Sequence, residues 1–228
     1  MTTGEILARA AGYPYPAPLH SFVQRGTATV ALPSEGPDLS GRRPLLAYGA
    51  NAAPSILARK LAALPGVPLP VMRAELADFD IVYSAHISPY GAVPSTLQRS
   101  PGTTAPVFVA YPTIEQERLL TATEPNYELY RLRGFDVRTE QGDRLSRLEV
   151  YLSRHGCLTL DGSEVALAAI DADGRRFRSL GEVEVLERLR RILAPELDLE
   201  GFVATSLDPS LAAARSTVLR GSANLLGL

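Results

Sequence analysis

The sequence predicts an α+β fold: a small mixed β-barrel with flanking helices and a helical C-terminal extension. Three observations lead there. Apolar runs at residues 78–84, 93–98 and 105–111 are separated by Ser88-Pro89, Tyr90-Gly91 and Ser100-Pro101-Gly102, and closely spaced strands with tight turns suggest a curled sheet. Residues 45–61 start as a buried strand, break at Gly49 and continue as a helix. Beyond Gly174, the residues Leu180, Val183, Leu186, Leu189, Ile192 and Leu193 recur every three or four positions among arginines and glutamates, as in a helix with one buried face.

In chain order, residues 4–11 form a short helix with Ile6, Leu7 and Ala10 on one side, stopped by Gly12 and a proline-rich segment up to Pro18. Residues 27–32 read as a strand and 33–43, rich in Pro, Gly and Ser, as a surface loop. In the central stretch, Pro54 suits the first turn of the helix, where its missing N–H has no partner anyway. Pro65-Gly66 breaks the chain after that helix, and residues 68–74 begin an extended section. Thr113 is an N-cap with Gln116 at the capping-box position, and the helix it opens stops before Pro125. Strands follow at 129–138 and 144–153 around a turn at 141–143, then at 158–160 and 165–170 around Asp161-Gly162, a strong hairpin signal. Helices at 180–193, 199–206 and 209–220 complete the chain. The expected division is an N-terminal extension over 1–40, to which no chemistry is assigned, a barrel over 41–155, and a hairpin with helices over 156–228 packed on it.

With 46 % hydrophobic and 21 % charged residues, the 228-residue chain has an ordinary globular balance and can bury a sizeable core. A net charge of −2 gives no general attraction to nucleic acid or to an anionic membrane, so neither is expected as a partner. Cys157 is the only cysteine, so no intramolecular disulfide forms, which fits a reducing cytosol. Residues 1–11 lack the basic start and apolar run of a secretory signal, and nowhere do about 18 uninterrupted apolar residues occur, as a membrane-spanning helix requires. The expected location is therefore the cytoplasm. His20, His86 and His155 are far apart in the sequence with no metal-binding spacing, so no metal or cofactor is expected. His155-Gly156-Cys157 reads as a turn holding a buried structural thiol. Nucleophile-elbow, phosphate-loop and dinucleotide motifs are absent, and the arginines at 175–178 and 188–191 read as solvated surface. Lys60, the single lysine, reads as compositional bias.

A strand that turns sharply into a helix leaves backbone N–H groups aimed at one spot, where an anionic or developing-anionic oxygen binds. Tyr48-Gly49-Ala50-Asn51 after an apolar strand resembles the Tyr-Gly-Ser-Asn loop of the gamma-glutamyl cyclotransferase family. Residues 119–132, a Leu-rich helix ending in Glu124 and followed by Tyr127 and Tyr130, are similar to that family's second landmark. Residues 75–82 and 91–102 resemble two of its strands, so the likeness covers about two-fifths of the chain, in the family's order.

The resemblance implies a barrel of the gamma-glutamyl cyclotransferase type and a reaction in which a substrate's own α-amine attacks its γ-carbonyl, releasing 5-oxoproline and an amine or amino acid. It implies Glu124 as general base and then acid, with Leu46, Ala47, Tyr48, Gly49, Ala50, Asn51 and Tyr130 binding the substrate. Tyr130 reads equally well as a core tyrosine whose hydroxyl finds a backbone partner. Three departures stand out: Ala50 for the family's Ser, Thr121 for an Asp before the catalytic Glu, and Pro125 for the Gly after it. They keep alternatives open: a catalytically altered member that binds a small acidic ligand or serves as an interaction module, or an amide-processing enzyme of other specificity. In the catalytic reading, Glu124→Gln abolishes activity and leaves the melting temperature almost unchanged. Neither leaving group nor oligomeric state is readable from the chain.

Overall fold

The computed structural model describes residues 1–221. In chain order its elements are α1 (Thr3–Ala11), β1 (Phe22–Arg25), β2 (Ala28–Ala31), β3 (Leu45–Ala47), a 3-10 turn (Ala50–Ala52), α2 (Pro54–Lys60), β4 (Leu69–Tyr83), β5 (Ser95–Ala110) and α3 (Ile114–Ala122). There follow β6 (Tyr127–Thr139), β7 (Arg144–Ser153), β8 (Thr159–Leu160), β9 (Ser163–Leu167), β10 (Arg178–Leu180), α4 (Glu182–Leu193), α5 (Leu199–Thr205) and α6 (Pro209–Arg220).

Five strands close on themselves. The sheet runs β4-β5-β3-β7-β6, and β6 returns to β4 through the pairs Ala74↔Thr139 to Leu76↔Val137. Within this ring β3 is parallel to β7 and every other pairing is antiparallel, so the barrel is mixed. Leu46, Leu76, Val107, Val109, Val137, Leu148 and Val150, on alternate positions of these strands, share the main apolar core. Burying such side chains contributes roughly 1.5–3 kcal/mol each. A second core, built from Leu45, Ala47, Leu57, Phe108, Leu120 and Tyr151, sits where α2 and α3 cover the outer wall.

The strands between residues 69 and 111 differ from expectation. Three short strands and an extended lead-in were expected; the chain instead makes two long bent strands of 15 and 16 residues. Ser100-Pro101-Gly102 is therefore no turn. The register passes from Ala77↔Thr104 to Phe79↔Arg99, so residues 100–103 bulge opposite Asp78 alone. Gly102 at φ 85° and Asp78 at φ 63° supply the bend, and the Gly102 N–H donates to Asp78 Oδ1 at 2.8 Å. Beyond the bulge the hairpin leaves the barrel wall and carries β9 on its edge, with β8 and β10 beside β9. Asp80, fully buried there, takes the Arg175 guanidinium at 2.9 Å. Two strands were not expected: β1, which pairs with both β2 and β4, and β10, which precedes α4. Both are short, and a three- or four-residue strand carries too little periodicity to read.

The capping box expected at Thr113 and Gln116 forms. The Asp161-Gly162 hairpin also forms, with both residues at positive φ. At the N-terminus α1 packs against α5. No helix among the described residues is long and apolar enough to cross a membrane.

Candidate active site

β3 lies between β5 and β7 with all three residues buried, so the chain leaves the barrel at Tyr48 in a fixed direction. Gly49 follows at a place with no room for a side chain: a Cβ would lie 2.5 Å from the Tyr13 hydroxyl and 2.7 Å from Ser95 Oγ. The next turn is tight. Ala52 N–H bonds to the Gly49 carbonyl and Ala53 N–H to that of Ala50, so the N–H groups of Ala50 and Asn51 precede the first donor of the turn and have no partner within it.

Glu124 reaches the same place from the other side. Thr123 ends α3, the Glu124 N–H bonds back to the Thr121 carbonyl, and the Glu124 carbonyl accepts from Tyr127 N–H as β6 begins. The corner aims the carboxylate at the loop: Asn51 Nδ2 donates to Glu124 Oε1 at 2.9 Å. A third group joins them. Lys60 Nζ is 2.5 Å from Glu124 Oε1 and donates to Asn51 Oδ1 at 2.9 Å. The ion pair is largely shielded, with side-chain exposures of 11 % for Lys60 and 14 % for Glu124. Glu124 Oε2 accepts no hydrogen bond from the described residues, so one carboxylate oxygen is fixed and the other is free.

These residues border a cleft of about 330 Å³. Six tyrosines line it, at 13, 15, 48, 90, 127 and 151. Tyr13 OH and Ser95 Oγ are 2.6 Å apart, Ser95 N–H donates to Tyr13 OH, and Tyr127 OH donates to the Ser95 carbonyl. Tyr48 OH donates to the Tyr151 carbonyl. Burial pushes these phenols up, Tyr151 to about 12 and Tyr13 and Tyr48 further, so they stay neutral. His86, also on the lining, is held down to about 3 by burial and then by His155, on which its ring stacks at 4.5 Å. Cys157 is buried, and burial pushes its thiol up to about 12, the setting of a structural thiol.

Leu46, Ala47, Tyr48, Gly49, Ala50, Asn51 and Glu124 all line this one cleft. Tyr130 does not. It lies three residues beyond the cleft-lining Tyr127, an odd step along β6, so its ring stands on the opposite, exposed side and its hydroxyl donates to Glu128. Thr121, one of the three departures, bonds to the Tyr151 hydroxyl at 2.8 Å and so fixes one of the lining rings. Sequence reasoning missed Lys60 and Tyr13. A helical side chain leans toward the N-terminus, so a lysine at the last position of α2 can reach back to the loop that precedes the helix, and that signal was present. Tyr13 had none, because contacts distant in sequence, such as α1 on α5 and Tyr13 on Ser95, bring this segment to the cleft.

No protein-family model matches the chain, and no curated protein does. Solved structures do. A gamma-glutamyl cyclotransferase is similar at 20 % identity and a TM-score of 0.39, covering 49 % of this chain. The match spans 66 % of that protein, just under two thirds of its length. An Arabidopsis thaliana protein solved in solution is similar at 18 % identity and a TM-score of 0.39, over 51 % of this chain and 72 % of its own. An uncharacterized protein from Homo sapiens is similar at 19 % identity and a TM-score of 0.37, over 50 % and 68 %. The chain is thus an α+β protein built on a closed five-stranded mixed barrel, and its neighbours among solved structures include a gamma-glutamyl cyclotransferase.

Proposed function

We propose that the cleft cyclises a γ-glutamyl compound by intramolecular aminolysis. The observation that carries this reading is the meeting of Glu124 with the Gly49-Ala50-Asn51 turn, through Asn51, on the lining of one cleft of substrate size. The reaction needs no protein nucleophile. The substrate's α-nitrogen forms a bond to its own γ-carbonyl carbon, the bond from that carbon to the leaving nitrogen breaks, and the two protons that the α-ammonium loses end on the leaving nitrogen, which departs as an ammonium. Glu124 Oε2 is the oxygen available to carry these protons, one after the other, while Lys60 and Asn51 hold Oε1 and so fix the carboxylate plane. The unpaired amides of the turn face the growing oxyanion; one such donor contributes about 3 kcal/mol in a dry site. Folding the substrate so that amine and carbonyl touch contributes on the order of 7 kcal/mol or more. The neutral tyrosines exclude water around the ring as it forms, and Arg59, on the lining with no acidic partner among the described residues, is placed to meet a substrate carboxylate.

A second reading is favoured by the same ion pair. Lys60 neutralises Glu124, and a neutralised carboxylate beside a free arginine suits a site that binds a small acidic ligand without turning it over. Incubation with a panel of γ-glutamyl amino acids and amines, with 5-oxoproline as the readout, separates the two. Cyclisation predicts release by the parent and none by Glu124→Gln. Turnover retained in that variant removes Glu124 from the mechanism, and saturable binding with no product establishes the second reading. The shielded ion pair predicts a stability cost for this variant, where the sequence alone predicts a melting temperature almost unchanged. The substitution strips the partner from a shielded ammonium and costs about 1–3 kcal/mol, so the assay belongs well below the lowered melting temperature.

A further inference from the structure

A second cleft, of about 280 Å³, shares no lining residue with the first. It lies on the outer wall of the barrel, where the approach to β3 passes β7 and β6, and four of its eight lining residues are arginines: Arg43, Arg131, Arg133 and Arg147. Glu149 organises two of them. Its Oε1 takes Arg131 Nε at 2.6 Å and Arg43 Nη1 at 3.5 Å, and its own N–H is tied to the Pro44 carbonyl. The other two have no such support. Arg133 and Arg147 stand directly opposite each other across β6 and β7, with no hydrogen bond or ion pair among the described residues. Like charges at directly opposed positions destabilise a strand pair. Glu149 and the neighbouring Glu117, whose carboxyl pKa is raised by burial and then by Glu149, are the acids at hand, so positive charge is in excess.

We propose that this cleft is a binding site for a small oxyanion of two or more negative charges, a phosphate ester or a dicarboxylate, bridged by Arg133 and Arg147. Guanidinium forks pair two-to-two with carboxylate or phosphate oxygens, and an anion between the forks turns the repulsion into attraction. The site stands on paired strands, so it is formed before the ligand arrives. Arg43 and Arg131, held by Glu149, close its other side.

Thermal unfolding of the full chain at low ionic strength tests this, with inorganic pyrophosphate and succinate as probes and sodium chloride at matched ionic strength as control. The parent melts about 5 °C higher at saturating pyrophosphate than in chloride. The double variant Arg133→Gln/Arg147→Gln loses that rise, and without ligand it melts no lower than the parent because the repulsion is gone. A rise with both probes means that two charges suffice, and a rise with pyrophosphate alone narrows the ligand to phosphates. A rise no larger than that in chloride, or one retained by the double variant, overturns the proposal.

Discussion

At the level of single residues, the cleft turns on a chain of three side chains in which Asn51 both gives and takes: it donates to Glu124 and accepts from Lys60, which also meets Glu124 directly. Replacing Lys60 by Met leaves a shielded carboxylate unpaired and should lower stability by about 1–3 kcal/mol. Combining it with Glu124→Gln should recover part of that loss, with a coupling of about 0.5–3 kcal/mol between the two sites in denaturant titrations. Additive effects would show that the contact is energetically empty. Residues near one another in sequence were legible here, since Tyr48 to Asn51 carry a strand, a glycine and a turn in four positions. The role of Lys60 depends on which way a helical side chain leans, and the side on which Tyr130 falls depends on strand parity counted from Tyr127 on the cleft; neither is read from residue type alone.

Among the elements, helices announced themselves through caps: Thr113 with Gln116 opens α3 where expected, and the periodicity from Leu180 onward became α4 with Val185, Leu186 and Leu189 buried. Strands of the middle section were harder. A Pro-Gly pair ordinarily signals a turn, but opposite Asp78 it makes a bulge, and the difference depends on a partner strand that local sequence does not name. The start of α4 holds a buried acid, Glu182, whose Oε1 accepts from Val93 N–H while Oε2 finds no partner among the described residues. Burial pushes its pKa well above the ordinary value, so the folded protein keeps a proton that the unfolded chain releases above about 4.3. Its contribution is complete below that pH and declines as pH rises through the window up to the folded pKa, by up to about 1.4 kcal/mol per pH unit. Gln keeps the acceptor for Val93 and cannot ionise. Glu182→Gln should therefore match the parent near pH 4 and exceed it in unfolding free energy near pH 8; equal values at both would show that the buried carboxyl is no burden.

For the molecule as a whole, the closed ring was foreshadowed by crowded strands, but the distant pairing of β4 with β6 that seals it was not, because that contact spans more than sixty residues. The N-terminal segment was the blindest spot. Assigned no chemistry, it delivers Tyr13 to a buried position between Gly49 and Ser95, where one hydroxyl fills the space that a Cβ would need and bonds to Ser95 through both backbone and side chain. The segment after α1 thus supplies part of the wall of the cleft. Under the proposed chemistry, Tyr13→Ala should open a leak through which bulk water competes with the substrate amine for the same carbonyl. The product mixture would then shift from 5-oxoproline toward free glutamate, while Tyr13→Phe, which keeps the ring but not its hydroxyl, shifts it far less. An unchanged ratio in the alanine variant would mean that the cleft stays dry by other means.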